Sequence, residues 1–276
     1  MARDSSLELE VTVGRMPILL RTTDPAFYEL LVQRYQDFLT SFTQPQFQFD
    51  VELTDIPESD PDADVSVTRA GADWQFRRGD FFAQWNPESG RGTVRQNANP
   101  YSIDSVLRIV HSLLLAREGG FLLHAASAVR EGEAHIFTGR SGAGKTTLSR
   151  MAPTEVKLLT DEVSYVRKSM NGYVGYGTPF AGELAKAGEN ISAPLAAVYL
   201  LVQGPENRLE LMDEAEAIRT LMRNILFFAQ DEAAVQSVFK SACEFAAKVP
   251  MYRMIFTRSS QAWDVIGATR QIEMMA

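Results

Sequence analysis

Gly139-Arg140-Ser141-Gly142-Ala143-Gly144-Lys145-Thr146-Thr147 carries a phosphate-binding P-loop pattern at every fixed position. Ala134-His135-Ile136-Phe137 predicts a strand running into it, and Thr146-Thr147-Leu148-Ser149-Arg150-Met151 predicts a helix leaving it. Between a strand and a helix, the backbone N–H groups of such a loop converge on an anion, and the helix dipole adds its positive end. Gly139 and Gly144 allow φ angles that residues with a Cβ resist. Lys145 supplies a mobile charge for the β and γ phosphates, and the Thr146 hydroxyl supplies a ligand for Mg²⁺. The pattern predicts a nucleotide site at Gly139, Ser141, Gly142, Ala143, Gly144, Lys145, Thr146 and Thr147.

The 276 residues suit one large domain or two small ones. A net charge of −8 and the lack of any basic run argue against a nucleic-acid partner, because neutralising a phosphate backbone needs clustered Lys and Arg. The single cysteine, Cys243, leaves no intrachain disulfide and fits a reducing compartment. It shares a helical face with Phe239, Ala242 and Ala246, which predicts a buried small hydrophobe. Met1 to Ser6 lead into no apolar segment of the signal-peptide kind. The longest apolar run, Leu195 to Val202, falls short of the roughly 18 residues that span a bilayer. The expectation is a cytoplasmic protein with no membrane partner, free to form a homo-oligomer.

Periodicity divides the chain into an N-terminal α+β region over 1–98 and a P-loop domain over 99–276. Leu7, Leu9, Val11 and Val13 alternate with polar residues, and Ile18 to Arg21 can pair back after a turn at Gly14. Asp24-Pro25 starts a helix whose apolar stripe, Phe27 to Phe42, is interrupted only by Arg34. Phe47 to Leu53 alternates as a strand. The acidic stretch Thr54 to Asp64, broken by Pro57 and Pro61, reads as a solvated loop. Short strands at Val65–Thr68, Trp74–Arg77 and Phe81–Trp85 predict an antiparallel meander, with Trp74, Phe76, Phe81, Phe82 and Trp85 in the sheet core. A helix over Ser102–Arg117 leads to the strand Phe121 to His124 and a tight turn at Arg130-Glu131-Gly132. Beyond the P-loop, strands are expected at Val156–Glu162, Val163–Arg167, Tyr173–Tyr176, Ala196–Gln203 and Arg208–Met212. Helices near Glu214–Gln230 and Asp231–Lys248 precede a last strand pair, Tyr252–Thr257 and Trp263–Ile266. The fold class is α/β (α+β) with mixed, largely antiparallel sheets.

Asp161 and Glu162 close an apolar strand that is expected beside the P-loop strand. Carboxylates there hold Mg²⁺ directly or through water, and one of the pair can accept a proton from an attacking hydroxyl. His124 ends another apolar strand and is either a satisfied core histidine or a catalytic one. The stretch Asn171 to Glu183, with its four glycines, is either a mobile substrate loop or a run of hairpin turns. No Asn-Lys-x-Asp guanine-recognition sequence is present, which favours ATP over GTP.

The order Leu122-Leu123-His124-Ala125-Ala126, then a Gly-turn hairpin, Gly139 to Thr146, and Leu159-Thr160-Asp161-Glu162 resembles the catalytic domain of HPr kinase/phosphorylase. That family shares its nucleotide-binding core with phosphoenolpyruvate carboxykinase. Thr178-Pro179-Phe180-Ala181-Gly182-Glu183 and the strand from Pro194 to Leu200 are similar to segments of HPr-kinase-like bacterial proteins. The resemblance covers roughly residues 100 to 270. It implies a core of that type and transfer of the γ-phosphoryl group of ATP to a serine-type hydroxyl. It assigns the phosphates to Lys145, Mg²⁺ to Thr146 and one acid, the base to Asp161, and a place near the reacting group to His124. Glu162 stands where the family usually has a second Asp. Arg253 and Arg258 are the candidates for a further phosphate clamp, with surface salt bridges as the alternative.

Overall fold

A computed structural model describes residues 6–56, 63–184 and 187–266. The chain forms two compact units, Met1–Leu114 with Phe227–Val235, and Leu115–Leu226 with Gln236–Ala276. Both are built on mixed sheets with helices, an α/β fold. Residues 57–62 of the acidic loop lie outside the described residues.

In the first unit, β1 (Leu7–Val13) and β2 (Met16–Thr22) form a hairpin in which Gly14 and Arg15 both take positive φ, 59° and 62°. A two-residue turn of that hand matches the twist of the strands it joins. The Asp24 carboxylate caps α1 (Pro25–Tyr35) by accepting the Phe27 N–H at 2.8 Å, with Pro25 at the start of the helix. This helix carries the chain to β3 (Phe47–Leu53), which pairs parallel with β2; parallel neighbours need such a crossover. Then β4 (Ser66–Ala70), β5 (Asp73–Arg78), β6 (Phe81–Asn86) and β7 (Arg91–Gln96) form the antiparallel meander, and β7 joins β3 in parallel. The strand order is β1-β2-β3-β7-β6-β5-β4. Trp74, Phe76, Phe81 and Trp85 are buried in it as expected, while Phe82 is half-buried.

Helix α2 (Pro100–Glu118) explains Arg34, the polar break in the α1 stripe. Asp104 is 2% exposed, and its carboxylate accepts from Arg34 Nε at 2.7 Å, from Arg34 Nη2, and from the Tyr35 hydroxyl at 2.5 Å. Burial and the Asp104 charge push the Tyr35 phenol well above its usual range, so it remains a donor. His111 is a core residue of the same helix, edge-on to Phe47 with ring centres 5.5 Å apart. Asp80, also buried, accepts from Arg78 Nε at 2.6 Å, Arg78 Nη2 at 2.8 Å and Ser102 Oγ at 2.6 Å.

The second unit centres on β8 (Phe121–Arg130), ten residues long and buried over most of its length. It pairs antiparallel with β9 (Glu133–Thr138) along one edge. Along the other it pairs with β10 (Lys157–Thr160) and β11 (Val163–Ser169). Between β9 and β10 lies α3 (Lys145–Arg150), the P-loop helix. The sheet continues through β12 (Gly172–Tyr176) and β13 (Ser192–Gln203), and β13 returns to β9 in parallel. Pairings thus run β8-β11-β12-β13-β9 and back to β8, closing a ring around Phe121, Leu123, Ile136, Val166 and Val198. Outside the ring, β14 (Arg208–Leu211) pairs with β16 (Met251–Phe256), which runs parallel to β13.

Four expectations need correction. The acid-bearing strand β10 does not lie beside the P-loop strand β9, because β8 stands between them and pairs with both. Helix α4 (Glu214–Asn224) stops short of Gln230, since Ile225 and Leu226 form β15 (Ile225–Leu226) against Leu123 and Leu122 of β8. α5 (Glu232–Ala246) follows. Trp263 is not on a strand but in a 3-10 turn, Ser260–Val265, where its indole N–H reaches the Leu148 carbonyl of α3 at 3.0 Å. That carbonyl, near the end of α3, also accepts the Met151 N–H at 3.2 Å, so both of its lone pairs are used. Cys243 is half-buried rather than buried, and its face neighbour Phe239 is 51% exposed.

Asp104→Ala leaves the Arg34 charge without its buried partner and is expected to cost about 3 kcal/mol or more in urea unfolding followed by tryptophan fluorescence. For Asp80, burial raises the carboxyl pKa, but the hydrogen bonds and charge of Arg78 and the Ser102 hydroxyl outweigh it and hold it below the usual range. A depressed folded value gives stability that is complete above the unfolded value of about 4 and lost as pH falls through the folded one. The stability gap between the wild type and Asp80→Asn therefore narrows on acidification; a gap independent of pH contradicts the assignment.

Candidate nucleotide and phosphoryl-transfer site

The second unit contains a cleft of about 570 Å³. Its walls are the P-loop residues Ser141, Gly142, Gly144, Lys145, Thr146 and Thr147, the acids Asp161 and Glu162, His124, the segment Ala181-Gly182-Glu183, and Arg258. Of the sequence-predicted residues, Gly139 and Ala143 do not line it. The Gly139 carbonyl accepts Lys145 Nζ at 3.1 Å, and Ala143 packs against the core cluster that includes Leu148 and Phe256.

The loop keeps its shape through backbone conformation. Gly144 stands at φ 111° before α3, and a Cβ there would meet Phe256 Cζ at 2.7 Å. Only glycine fits both the angle and the approach to that ring. Burial pulls the Lys145 ammonium below its usual range, against the opposing influence of Glu183 and Glu162.

The two acids occupy the bend between β10 and β11. Thr160 Oγ1 accepts the N–H groups of Glu162 and Val163, both at 3.2 Å, and the Glu162 carbonyl accepts the Ala125 N–H of β8 at 2.9 Å. This bend interrupts strand alternation, so both acids line the cleft. Asp161 is 4% exposed; its Oδ1 accepts the Gly182 N–H and its Oδ2 the Leu184 N–H, each at 2.8 Å. A Cβ on Gly182 would stand 2.8 Å from Glu162 Cβ and 3.1 Å from Asp161 Oδ2. Thr178 and Phe180 are fully buried, and Thr178 Oγ1 donates to the Val163 carbonyl at 3.1 Å. The glycine-containing segment is therefore docked on the acid pair rather than standing off it.

His124 pairs with Val163 at the start of β11, and its carbonyl accepts Thr138 Oγ1 at 3.1 Å. Its ring is half-buried and faces the cleft, while His135 is a core residue with Nδ1 3.3 Å from the Tyr199 hydroxyl. Arg253 bonds Glu210 at 3.0 Å and Glu216, outside the cleft, as the salt-bridge alternative has it. Arg258 lines the cleft.

Sequence reasoning did not single out Glu183. Its Oε2 accepts the Thr146 hydroxyl at 3.0 Å, placing a third carboxylate at the P-loop. The available signal was an acid directly after Gly182 in a segment too glycine-rich to be a strand. Among the described residues no three His, Cys, Asp or Glu side chains group as a metal cage. Mg²⁺ does not require one, since it binds through one or two carboxylates together with substrate phosphates and water. Thr146, Asp161 and Glu162 at one cleft fit that donor set.

Among the described residues no helix is long and apolar enough to cross a membrane. No curated protein matches the chain. Among solved structures, the HPr(Ser) kinase/phosphatase from Coxiella burnetii is similar at 11% identity and a TM-score of 0.31, over 56% of this chain and 99% of that one. Residues 93–269, which contain the P-loop, the acid pair, Glu183 and Arg258, match the family described as SynChlorMet cassette protein ScmC, and the chain belongs to that family.

Proposed function

We propose that the chain is an ATP- and Mg²⁺-dependent kinase of the HPr-kinase-like type, transferring the γ-phosphoryl group to a serine-type hydroxyl of a protein, peptide or small molecule. The observation that carries this is one cleft in which Lys145 and Thr146 share walls with Asp161, Glu162 and His124. Lys145 and the loop amides hold the phosphates. Thr146 and one acid of the pair would hold Mg²⁺, which neutralises charge on the phosphate oxygens when bound. Asp161 takes the proton of the acceptor hydroxyl as its oxygen bonds to the γ phosphorus; the bond to the β–γ bridging oxygen breaks and ADP leaves. His124 sits beside the reacting group. Gly182 and Leu184 each donate one N–H to an Asp161 oxygen, which positions the carboxylate and leaves a lone pair on each oxygen for the acceptor hydroxyl.

That docked segment favours a second reading, a nucleotide-sensing module in which the acids anchor a loop and catalyse little. Accumulation of ADP that depends on both an acceptor and Lys145 separates the two.

Lys145→Ala is expected to weaken ATP binding roughly tenfold or more, the weight of a charge-assisted contact to phosphate; unchanged affinity and turnover remove the P-loop from the account. Asp161→Asn is expected to keep ATP binding and to lose transfer by about 10²- to 10⁴-fold, the range for a general base. Normal transfer in that variant excludes Asp161 as the base.

A further inference from the structure

We infer that Arg258 is the second cation of the nucleotide site and contacts the terminal phosphate of the triphosphate. The inference rests on the kinase reading and assigns a residue to it.

The topology places Arg258 there. Strands β9, β13 and β16 run parallel, with Thr138 level with Leu200 and Gln203 level with Phe256, so all three end at the same edge. Ligands of sheets of this kind gather beyond the carboxyl ends of parallel strands. β9 continues into the P-loop, β13 ends on Gln203, and β16 ends on Phe256, two residues before Arg258. The three ends are joined: Gln203 Nε2 donates to the Gly142 carbonyl at 3.0 Å, and Gln203 Oε1 accepts Arg258 Nη2 at 3.3 Å. The Phe256 ring packs under Gly144 at the other end of the loop. A single glutamine thus ties the guanidinium to the tip of the P-loop.

Charge supplies the second argument. Three carboxylates, Asp161, Glu162 and Glu183, line the cleft, and Lys145 and Arg258 are the Lys and Arg among its lining residues. A triphosphate adds further negative charge. The loop amides cradle the inner phosphates and Lys145 spans the β and γ groups, so a cation from outside the loop adds a second positive charge at the outermost group. Arginine suits it, because its planar fork can donate two parallel hydrogen bonds to phosphate oxygens and keeps its charge at any working pH. Arg253 cannot serve, being engaged by Glu210 and Glu216.

The test is calorimetric titration of the full-length wild type, Arg258→Ala and Arg258→Lys with the β,γ-imido analogue of ATP and with ADP, in Mg²⁺. Arg258→Ala is expected to lose roughly tenfold or more in affinity for the triphosphate and much less for ADP, with Arg258→Lys between them. Equal losses for the two nucleotides, or no loss for the triphosphate, overturn the assignment while leaving the P-loop reading intact. A wild type that binds neither nucleotide overturns both. Arg258→Lys, which keeps the charge and bulk, decides the matter if the alanine variant does not fold.

Discussion

The cleft depends on β8 being hydrogen-bonded along both edges. On one edge it fixes β9, and hence the P-loop; on the other it fixes β10 and β11, and hence the bend carrying Asp161 and Glu162. A strand buried over most of its length and hydrogen-bonded along both edges is held by its neighbours on either side. The P-loop and the acids are therefore placed by one rigid element, although neither touches the other in sequence. His124 is the β8 residue at the level where the acid bend ends and β11 begins, which is why it joins the same cleft.

Around that frame the electrostatics are balanced through backbone as much as through side chains. Asp161 is satisfied by two amides, and the Thr146 hydroxyl by Glu183. Hydrogen bonds of this kind hold a buried carboxylate without a partner cation and can be exchanged for ligand contacts. The Thr146 hydroxyl spends its proton on Glu183 and keeps its oxygen lone pairs, the part of the group that the Mg²⁺ proposal needs. The buried groups of the first unit follow a different plan: Asp104 and Asp80 are each paired with an arginine and a hydroxyl.

Much of this was legible in the residues wherever the determining contact is local. The Asp24 cap, the Gly14 turn, the meander and the P-loop depend on neighbours a few positions apart, and the structure reproduces them. What escaped was long-range. That β8 separates β9 from β10 depends on its use of both edges, which an apolar run does not disclose. Ile225-Leu226 leaves a helical pattern because an edge of β8 accepts it, and Trp263 leaves a strand pattern because the Leu148 carbonyl accepts its N–H. Glu183 was invisible for the same reason: its meaning lies in the Thr146 hydroxyl, which only folding brings to it. Arg253 and Arg258 are alike in sequence position and differ only in what β14 and α4 present to the first of them.

A P-loop and an acid pair facing one cleft carry the proposed transfer of a phosphoryl group to a hydroxyl. The measurement that tests it most directly is transfer of label from γ-labelled ATP to components of a lysate of the source organism, with and without the purified chain and Mg²⁺. The account predicts a labelled acceptor that appears only with both and carries the acid-stable, alkali-labile linkage of a serine phosphate ester. No acceptor labelled above the level of the lysate alone, or labelling indifferent to Mg²⁺, would contradict it.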